Sequence, residues 1–391
     1  MKHHPITLRI AALLCAVWML AFAFASCSSG GGSGTESTTA AGGAETTKPV
    51  EKMDLANEDL SKYISLGQYK GIKLEMDEMD YTIYYRELLL DDGAYFDEIT
   101  STDRVVCEGD LINVDYTGYY KGTQFDGGKA SAQDLTVSDG RGYIDGFGVG
   151  FVGAVVGETS SFNVTFPEQY GDSFLAGKEV TFEFKVNHIY EFDALTDEMA
   201  KDLSGGEYVT AEEYETYLRD QLITELLWPQ VIENATILEY PTQQVQYYYQ
   251  QNRNYYEHYA NSYDMTYAEF LTYFNLTDAD LYESAKLYTA EDLVFHSIRK
   301  NEQISLSEDE YDAMIGAYID DYKAKFGYTD AEIKTVMPAI EENMLYDKVL
   351  KTVVGWSEIV WLDKSEDNGA DAPTEETTAP AEDGETTADP A

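Results

Sequence analysis

The chain has 391 residues, 44% of them apolar and 13% aromatic, which is ample for two or three hydrophobic cores. Its 72 acidic residues against 26 basic ones give a formal net charge of −46, which speaks against nucleic acid and anionic membrane surfaces as partners. Only three cysteines occur, at 15, 27 and 107. If the first leaves with a leader and the second carries lipid, Cys107 remains alone, no internal disulfide forms, and a partly buried strand edge is its simplest place.

Lys2 and Arg9 precede an apolar run from Ile10 to Ala25 that ends at Ser26-Cys27. The run is too short and wrongly flanked for a spanning helix and reads as a secretory signal over residues 1–26. Phe24-Ala25-Ser26-Cys27 resembles a bacterial lipobox, which implies lipidation of Cys27; Phe24 departs from the usual small aliphatic residue. Residues 27–50, rich in Gly, Ser, Thr and Ala, form a disordered tether, and 364–391 a disordered acidic tail. Between them the expected order is a connecting segment at 51–100, a sheet domain at 101–192 and a helical domain at 193–363.

In the sheet domain Ile112, Val114 and Tyr116 alternate with polar residues, as do Phe162, Val164 and Phe166, and Val180, Phe182, Phe184 and Val186. Alternation predicts strands of an antiparallel sheet with one apolar face. Phe147, Phe151 and Val155 recur at helical spacing, with Gly157 as a stop, and predict a short helix. Four motifs follow in order: Val114-Asp115-Tyr116-Thr117-Gly118, Phe125-Asp126-Gly127-Gly128, Ile144-Asp145-Gly146-Phe147 and Phe166-Pro167-Glu168-Gln169-Tyr170-Gly171. Together they resemble the FKBP-type peptidyl-prolyl isomerases. Phe125-Asp126-Gly127-Gly128-Lys129-Ala130, Thr165-Phe166-Pro167-Glu168 and Leu175-Ala176-Gly177-Lys178 are most similar to the isomerase domain of the trigger factor family. Gly67-Gln68-Tyr69-Lys70-Gly71-Ile72 resembles the segment that connects into that domain and packs with its helical partner.

The resemblance implies a pocket. Tyr116, Phe125, Asp126, Phe147 and Tyr170 would be its catalytic residues, and Tyr143, Ile144 and Phe184 would bind substrate. Phe147 would be the floor under a proline ring, with Tyr116, Phe125 and Phe184 as walls and either Leu135 or Val137 as a further one. The Ile144 N–H and the Tyr170 hydroxyl would donate to substrate carbonyls, and Asp126 would set the polarity at the reacting edge. Core packing is the plain alternative for each ring taken alone. Rotation about an X–Pro bond needs no nucleophile, cofactor or metal, only a site that favours the twisted amide.

From Thr196 to Trp361 the pattern turns helical, and strand-like alternation is missing. Thr210 with Glu213 makes a capping box, followed by Tyr214, Leu218, Leu222 and Leu226 on one face until Pro229 interrupts. Further helices are expected at 242–263, 266–274, 278–301, 307–326 and 338–354. Tyr247, Tyr248, Tyr249, Tyr255, Tyr256, Tyr259 and Tyr263 crowd the first of these, a stripe wider than one packing seam needs. A helical hairpin packed on its neighbour explains it plainly. The functional reading makes Tyr248, Tyr249, Tyr255, Tyr256 and Tyr259 a cradle for unfolded segments.

Gly148 to Gly153 fits a dinucleotide fingerprint by letter but lacks the buried strand that must precede it. His188, His258 and His296 lack metal-ligand spacing, and the acidic clusters lack that of a calcium loop. The fold expected is a multidomain α+β one: an FKBP-like antiparallel sheet wrapped on a short helix, plus an all-α helical chaperone domain. The function implied is prolyl isomerisation and chaperoning of newly exported polypeptides at the outer face of the membrane. The membrane would be reached through the lipid anchor, and with no ribosome-binding domain ahead of the sheet the ribosome would not be a partner. Rival readings are a holdase that has lost catalysis, which Asp145 in place of the family's frequent proline keeps open, and a surface adhesin or ligand receptor.

Overall fold

The computed structural model describes residues 49–140, 142–274 and 276–362. The expected leader, Cys27 with most of its tether, and the acidic tail lie outside the described residues. After a 3-10 turn at Leu60–Lys62, the described chain forms two short strands, β1 (Ile64–Ser65) and β2 (Lys73–Asp77), and a helix, α1 (Glu78–Asp92). Asp77 starts α1 because its carboxylate accepts from the Met79 and Asp80 N–H groups while Asp80 accepts from its own N–H. Gly93 ends the helix at φ 71°, a left-handed conformation that glycine takes without steric cost. Leu60, Ile64, Leu74, Met76, Tyr81 and Leu89 share one core with Leu218, Leu227, Leu293 and Val349. This N-terminal segment therefore packs into the helical part of the molecule, although the sheet domain separates them in sequence.

The sheet domain holds β3 (Phe96–Ile99), β4 (Leu111–Tyr120), β5 (Thr123–Thr136), β6 (Thr159–Thr165) and β7 (Glu179–Phe192), all antiparallel. β7 is central. β4 and then β5 lie on one side, while β6 and β3 pair end to end along the other, at Thr159–Thr165 and Phe96–Ile99. Lys121 at φ 50° and Gly122 at φ 79° turn β4 into β5, the two left-handed positions of a hairpin turn that matches strand twist. Ile112, Val114, Val137, Phe151, Val186 and Ile189 share the buried core of this domain.

The expected helix over Phe147, Phe151 and Val155 is corrected to a single 3-10 turn, Gly148–Phe151. Val155 is extended and bridges Val105, and Gly153 and Gly157 adopt φ 83° and 82°. Glycines give this stretch too little helical propensity to continue. They serve close packing instead: a Cβ at Gly148 would lie 1.9 Å from the Ser138 carbonyl oxygen, and one at Gly150 2.6 Å from the Phe162 ring. Cys107 is exposed in the turn before β4, not partly buried, because its N–H is tied to the Asp110 carboxylate at 2.8 Å.

The remainder comprises α2 (Asp197–Leu203), α3 (Ala211–Asn234), β8 (Thr236–Ile237), α4 (Thr242–Ser262), α5 (Tyr267–Tyr273), α6 (Asp278–Asn301), α7 (Glu308–Phe326), α8 (Asp330–Trp356) and β9 (Glu358–Leu362). Neither proline breaks its helix: Pro229 lies inside α3 and Pro338 inside α8. The cost of about 3 kcal/mol for an interior proline is offset by burial of the flanking Leu227, Trp228 and Val231, and of Val336, Ile340 and Met344. α8 starts eight residues before Pro338, where Thr329 and Glu332 form a capping box. The expected lack of strands after Thr196 is also corrected. β9 pairs parallel with β2 from Lys73↔Glu358 to Asp77↔Leu362, and β8 pairs with β1. Arg219 fastens this junction, with its guanidinium 4.0 Å from the Tyr81 ring centroid, 4.6 Å from that of Trp361, and 2.8 Å from both Glu78 and Glu215.

Candidate functional site

Residues two apart on β4 share a face, which puts Val114, Tyr116, Gly118 and Tyr120 toward the domain core. Gly118 and Gly128 flank the Phe125 ring so closely that a Cβ on either would come within 2.4 Å of it. Those two glycines make room for an aromatic side chain beside the strand. Phe147 is at the centre of the ring cluster, with centroids at 5.4 Å (Tyr116), 4.8 Å (Tyr143), 5.4 Å (Phe151), 5.7 Å (Phe162) and 4.9 Å (Phe182). Four of these neighbours stand edge-on; Tyr143 is stacked, its plane 25° from that of Phe147. As a result Phe147 is only 3% exposed. Tyr116, Tyr143 and Ile144 are half-buried around it. Burial raises the Tyr116 and Tyr143 hydroxyls above the ordinary tyrosine range, so both stay neutral donors.

Phe182, rather than Phe184, is the β7 ring beside the expected floor. It lies 4.9 Å from Phe147, 5.8 Å from Tyr116 and 5.9 Å from Phe125. Phe184 packs instead on Phe151 at 4.8 Å and Phe162 at 5.6 Å. Both rings share one face of β7, so alternation alone does not choose between them; strand register does, by setting Gly118 opposite Phe182. From Phe125 the rings continue through Phe166 at 6.0 Å to Tyr170, a further 4.5 Å on and 38% exposed. Leu135 and Val137 are both buried in this core. Asp126 is exposed. The Ile144 carbonyl accepts from the Phe147 N–H at 3.0 Å, while its own N–H has no acceptor among the described residues.

The tyrosines of α4 divide into two groups. Tyr248 donates to Asp292 at 2.6 Å and Tyr249 to Asp278 at 3.0 Å, and their rings meet Tyr288 and Tyr282, so these two fasten α4 onto α6. Tyr255, Tyr256 and Tyr259 lie further along the helix. Their rings run on through Tyr256 and Phe270 (6.1 Å), Tyr263 and Phe270 (6.1 Å), and Phe270 and Phe274 (4.6 Å). This second group opens to solvent, with Tyr263 at 64% and Tyr273 at 75% exposure.

One cluster carried no signal in the sequence. Lys52, from the segment ahead of β1, places Nζ 3.1 Å from Glu342 and 3.7 Å from Asp292, and Gln244 donates to Asp292 at 2.6 Å. His296 Nε2 is 3.4 Å from the same Glu342 oxygen. Beside them the Glu291 carboxylate accepts from Trp228 Nε1 at 3.1 Å and from the Tyr346 hydroxyl. Burial pushes Glu291 up to about 7. Glu342, although burial opposes it, is held down to about 2 by His296 and Lys52. These groups come from five separated segments, around Lys52, Trp228, Gln244, Glu291 to His296 and Glu342 to Tyr346, so no local spacing announces them.

The sheet of five strands, closed over a 3-10 turn and lined by rings, belongs to a known class. The family model described as FKBP-type peptidyl-prolyl cis-trans isomerase matches residues 102–189. Among curated proteins, the trigger factor of Macrococcus caseolyticus is 30% identical over 289 residues, covering 68% of this chain and 67% of that protein. With that extent of agreement, the chain belongs to the trigger factor family. The trigger factor of Staphylococcus saprophyticus is 39% identical over 171 residues, 43% of this chain and 39% of that protein. Staphylococcus carnosus trigger factor is similar at 37% identity, and the match likewise spans 37% of its length. Against these two the chain spans about two fifths of the relative. A solved structure of the trigger factor chaperone shares 17% identity over 75% of this chain at a TM-score of 0.28, too low to bear on the fold.

Proposed function

We propose that this protein is an exported, membrane-tethered folding factor that isomerises X–Pro bonds and holds unfolded polypeptide. The carrying observation is the Phe147 cluster: a flat aromatic floor beside a backbone N–H, that of Ile144, with no acceptor among the described residues. The barrier to amide rotation is about 18–20 kcal/mol because the planar amide loses conjugation on the way over. A site lowers it by holding the twisted amide better than the planar one. In this reading the prolyl ring takes the place of Tyr143 over Phe147, and the half-buried Tyr143 ring swings aside. The Ile144 N–H and the Tyr170 hydroxyl then hold the carbonyls flanking the bond while it turns. Each 1.36 kcal/mol or so removed from the barrier gives about a tenfold rate gain.

The exposed rings at the end of α4 supply the holding surface, since apolar rings with polar tips suit weak contact with varied unfolded chains. Export rests on the apolar run from Ile10 to Ala25, and the tether on Cys27. Fatty-acid labelling of the wild type that Cys27→Ser abolishes is the expected result; equal labelling refutes the anchor. A second reading, a holdase without catalysis, is favoured by the near-complete cover of Phe147. Proline-limited refolding of a client separates the two. Acceleration by the full chain that Phe147→Leu largely removes, with Tyr170→Phe intermediate, supports the isomerase. Suppressed aggregation with no acceleration supports the holdase.

A further inference from the structure

Beyond the expected pocket residues, one exposed ring near the site is held too firmly to be a loose surface side chain. Phe174 is 58% exposed. Its loop is fixed on both sides: the Asp172 carboxylate accepts from the Phe174 N–H at 2.8 Å, and the Asp172 carbonyl accepts from Leu175 at 3.1 Å and Ala176 at 3.0 Å. Leu175, the next residue, is buried in the domain core. The Phe174 ring stands edge-on to Tyr120 at 5.6 Å. Lys121 covers Tyr120 from 5.1 Å, leaving Phe174 as the apolar part of this ledge.

The ledge is continuous with the site. Tyr116, Gly118 and Tyr120 share one face of β4, and the Phe125 ring packs against Gly118, which stands between the two tyrosines along the strand. Tyr170, four residues before Phe174, joins the ring series through Phe166. Four residues of strand separate Tyr116 from Tyr120, about 13 Å at 3.3 Å per residue. An extended peptide covers the same distance in about four residues.

We propose that Phe174 and Tyr120 form a specificity subsite. It takes a large apolar or aromatic side chain of the client polypeptide, about four residues from the proline seated at Phe147. The proposal rests on the isomerase reading of that pocket. An incoming ring would meet the open face of Phe174 in the offset or edge-on arrangement that aromatic pairs prefer. The geometry does not set chain direction, so the occupied position is either before or after the proline.

Three alanine-based peptides with one central proline test this: one with Phe four residues before it, one with Phe four residues after, and one with neither. Rates of cis–trans exchange and affinities are both measured with the full chain. The expected result is a preference of roughly three- to tenfold for one Phe-containing peptide over the unsubstituted one. In Phe174→Ala that ratio falls to about one, and in Phe174→Leu it is partly kept. Equal rates and affinities for all three peptides overturn the subsite, as does a preference that survives in Phe174→Ala. If no peptide is isomerised, the catalytic reading fails; the affinity ratio then decides the subsite alone, by the same two criteria.

Discussion

Around Phe147 the rings close on one another until 3% of that residue meets solvent, whereas Tyr263, where α4 ends, and Tyr273, where α5 ends, stand 64% and 75% exposed. Both clusters are built from the same residue types in the same chain. The inward one is stabilised by burial, so removing a member costs folding energy. The outward one contributes little to folding, and a continuous apolar patch on a chain with net charge −46 is otherwise an aggregation hazard. Under the proposed function, the first cluster serves structure and chemistry together, and the second serves binding.

The contrast can be broken most sharply at its centre. Phe147→Ala should destabilise the sheet domain by about 3–5 kcal/mol, as for other buried aromatic truncations; urea denaturation checks it, and a change under 1 kcal/mol would mean that the cluster is not packed as described. Next comes the buried carboxylate under the helical region. Glu291 binds its proton up to about pH 7 when folded, against an ordinary value of 4.5. Its contribution to stability is therefore fully present below pH 4.5 and is lost as pH rises through 7. Glu342 acts in the opposite sense, with stability lost as pH falls below 4.5 toward 2. Glu291→Gln keeps a neutral acceptor for Trp228 and Tyr346, so it should flatten the slope between pH 5 and 8. The gain at pH 8 should be on the order of 3 kcal/mol. An unchanged slope in thermal melts across that range would contradict the assignment.

A smaller effect separates the two halves of α4. Tyr248→Phe removes a hydrogen bond to the Asp292 carboxylate and should cost about 1.5–3 kcal/mol. Tyr263→Ser with Tyr273→Ser should change stability by no more than about 0.5 kcal/mol each, being surface changes. The same double variant should nevertheless weaken suppression of client aggregation. Full suppression by the double variant would remove the rings at the ends of α4 and α5 from the proposed holding surface.

What could be read in advance follows the range of the interactions. β4, β6 and β7 were legible because each alternates within one short window, and α3, α4 and α6 because their caps and apolar faces are local. β5 was not, since Gly127 at φ 76°, Ala132 at φ 50° and two register shifts against β4 interrupt its pattern. β9 depends on β2, nearly the whole chain away, and only that pairing distinguishes Glu358-Ile359-Val360-Trp361-Leu362 from the end of a helix. Of the rings that meet Phe147, the expected pocket named Tyr116 and Tyr143, but not Phe151, Phe162 or Phe182. The choice of Phe182 over Phe184, and the stacking of Tyr143 across the floor, depend on register and rotamer, which no spacing encodes.

Under the proposed function, Phe147 carries catalysis of the prolyl turn. Exchange spectroscopy on a proline peptide, with the full chain added at catalytic concentration, reads that turn directly. The expected result is exchange at least tenfold faster with wild type, lost by Phe147→Leu and retained by Phe184→Leu. Equal exchange with and without protein, or a Phe147→Leu variant as active as wild type, would contradict it.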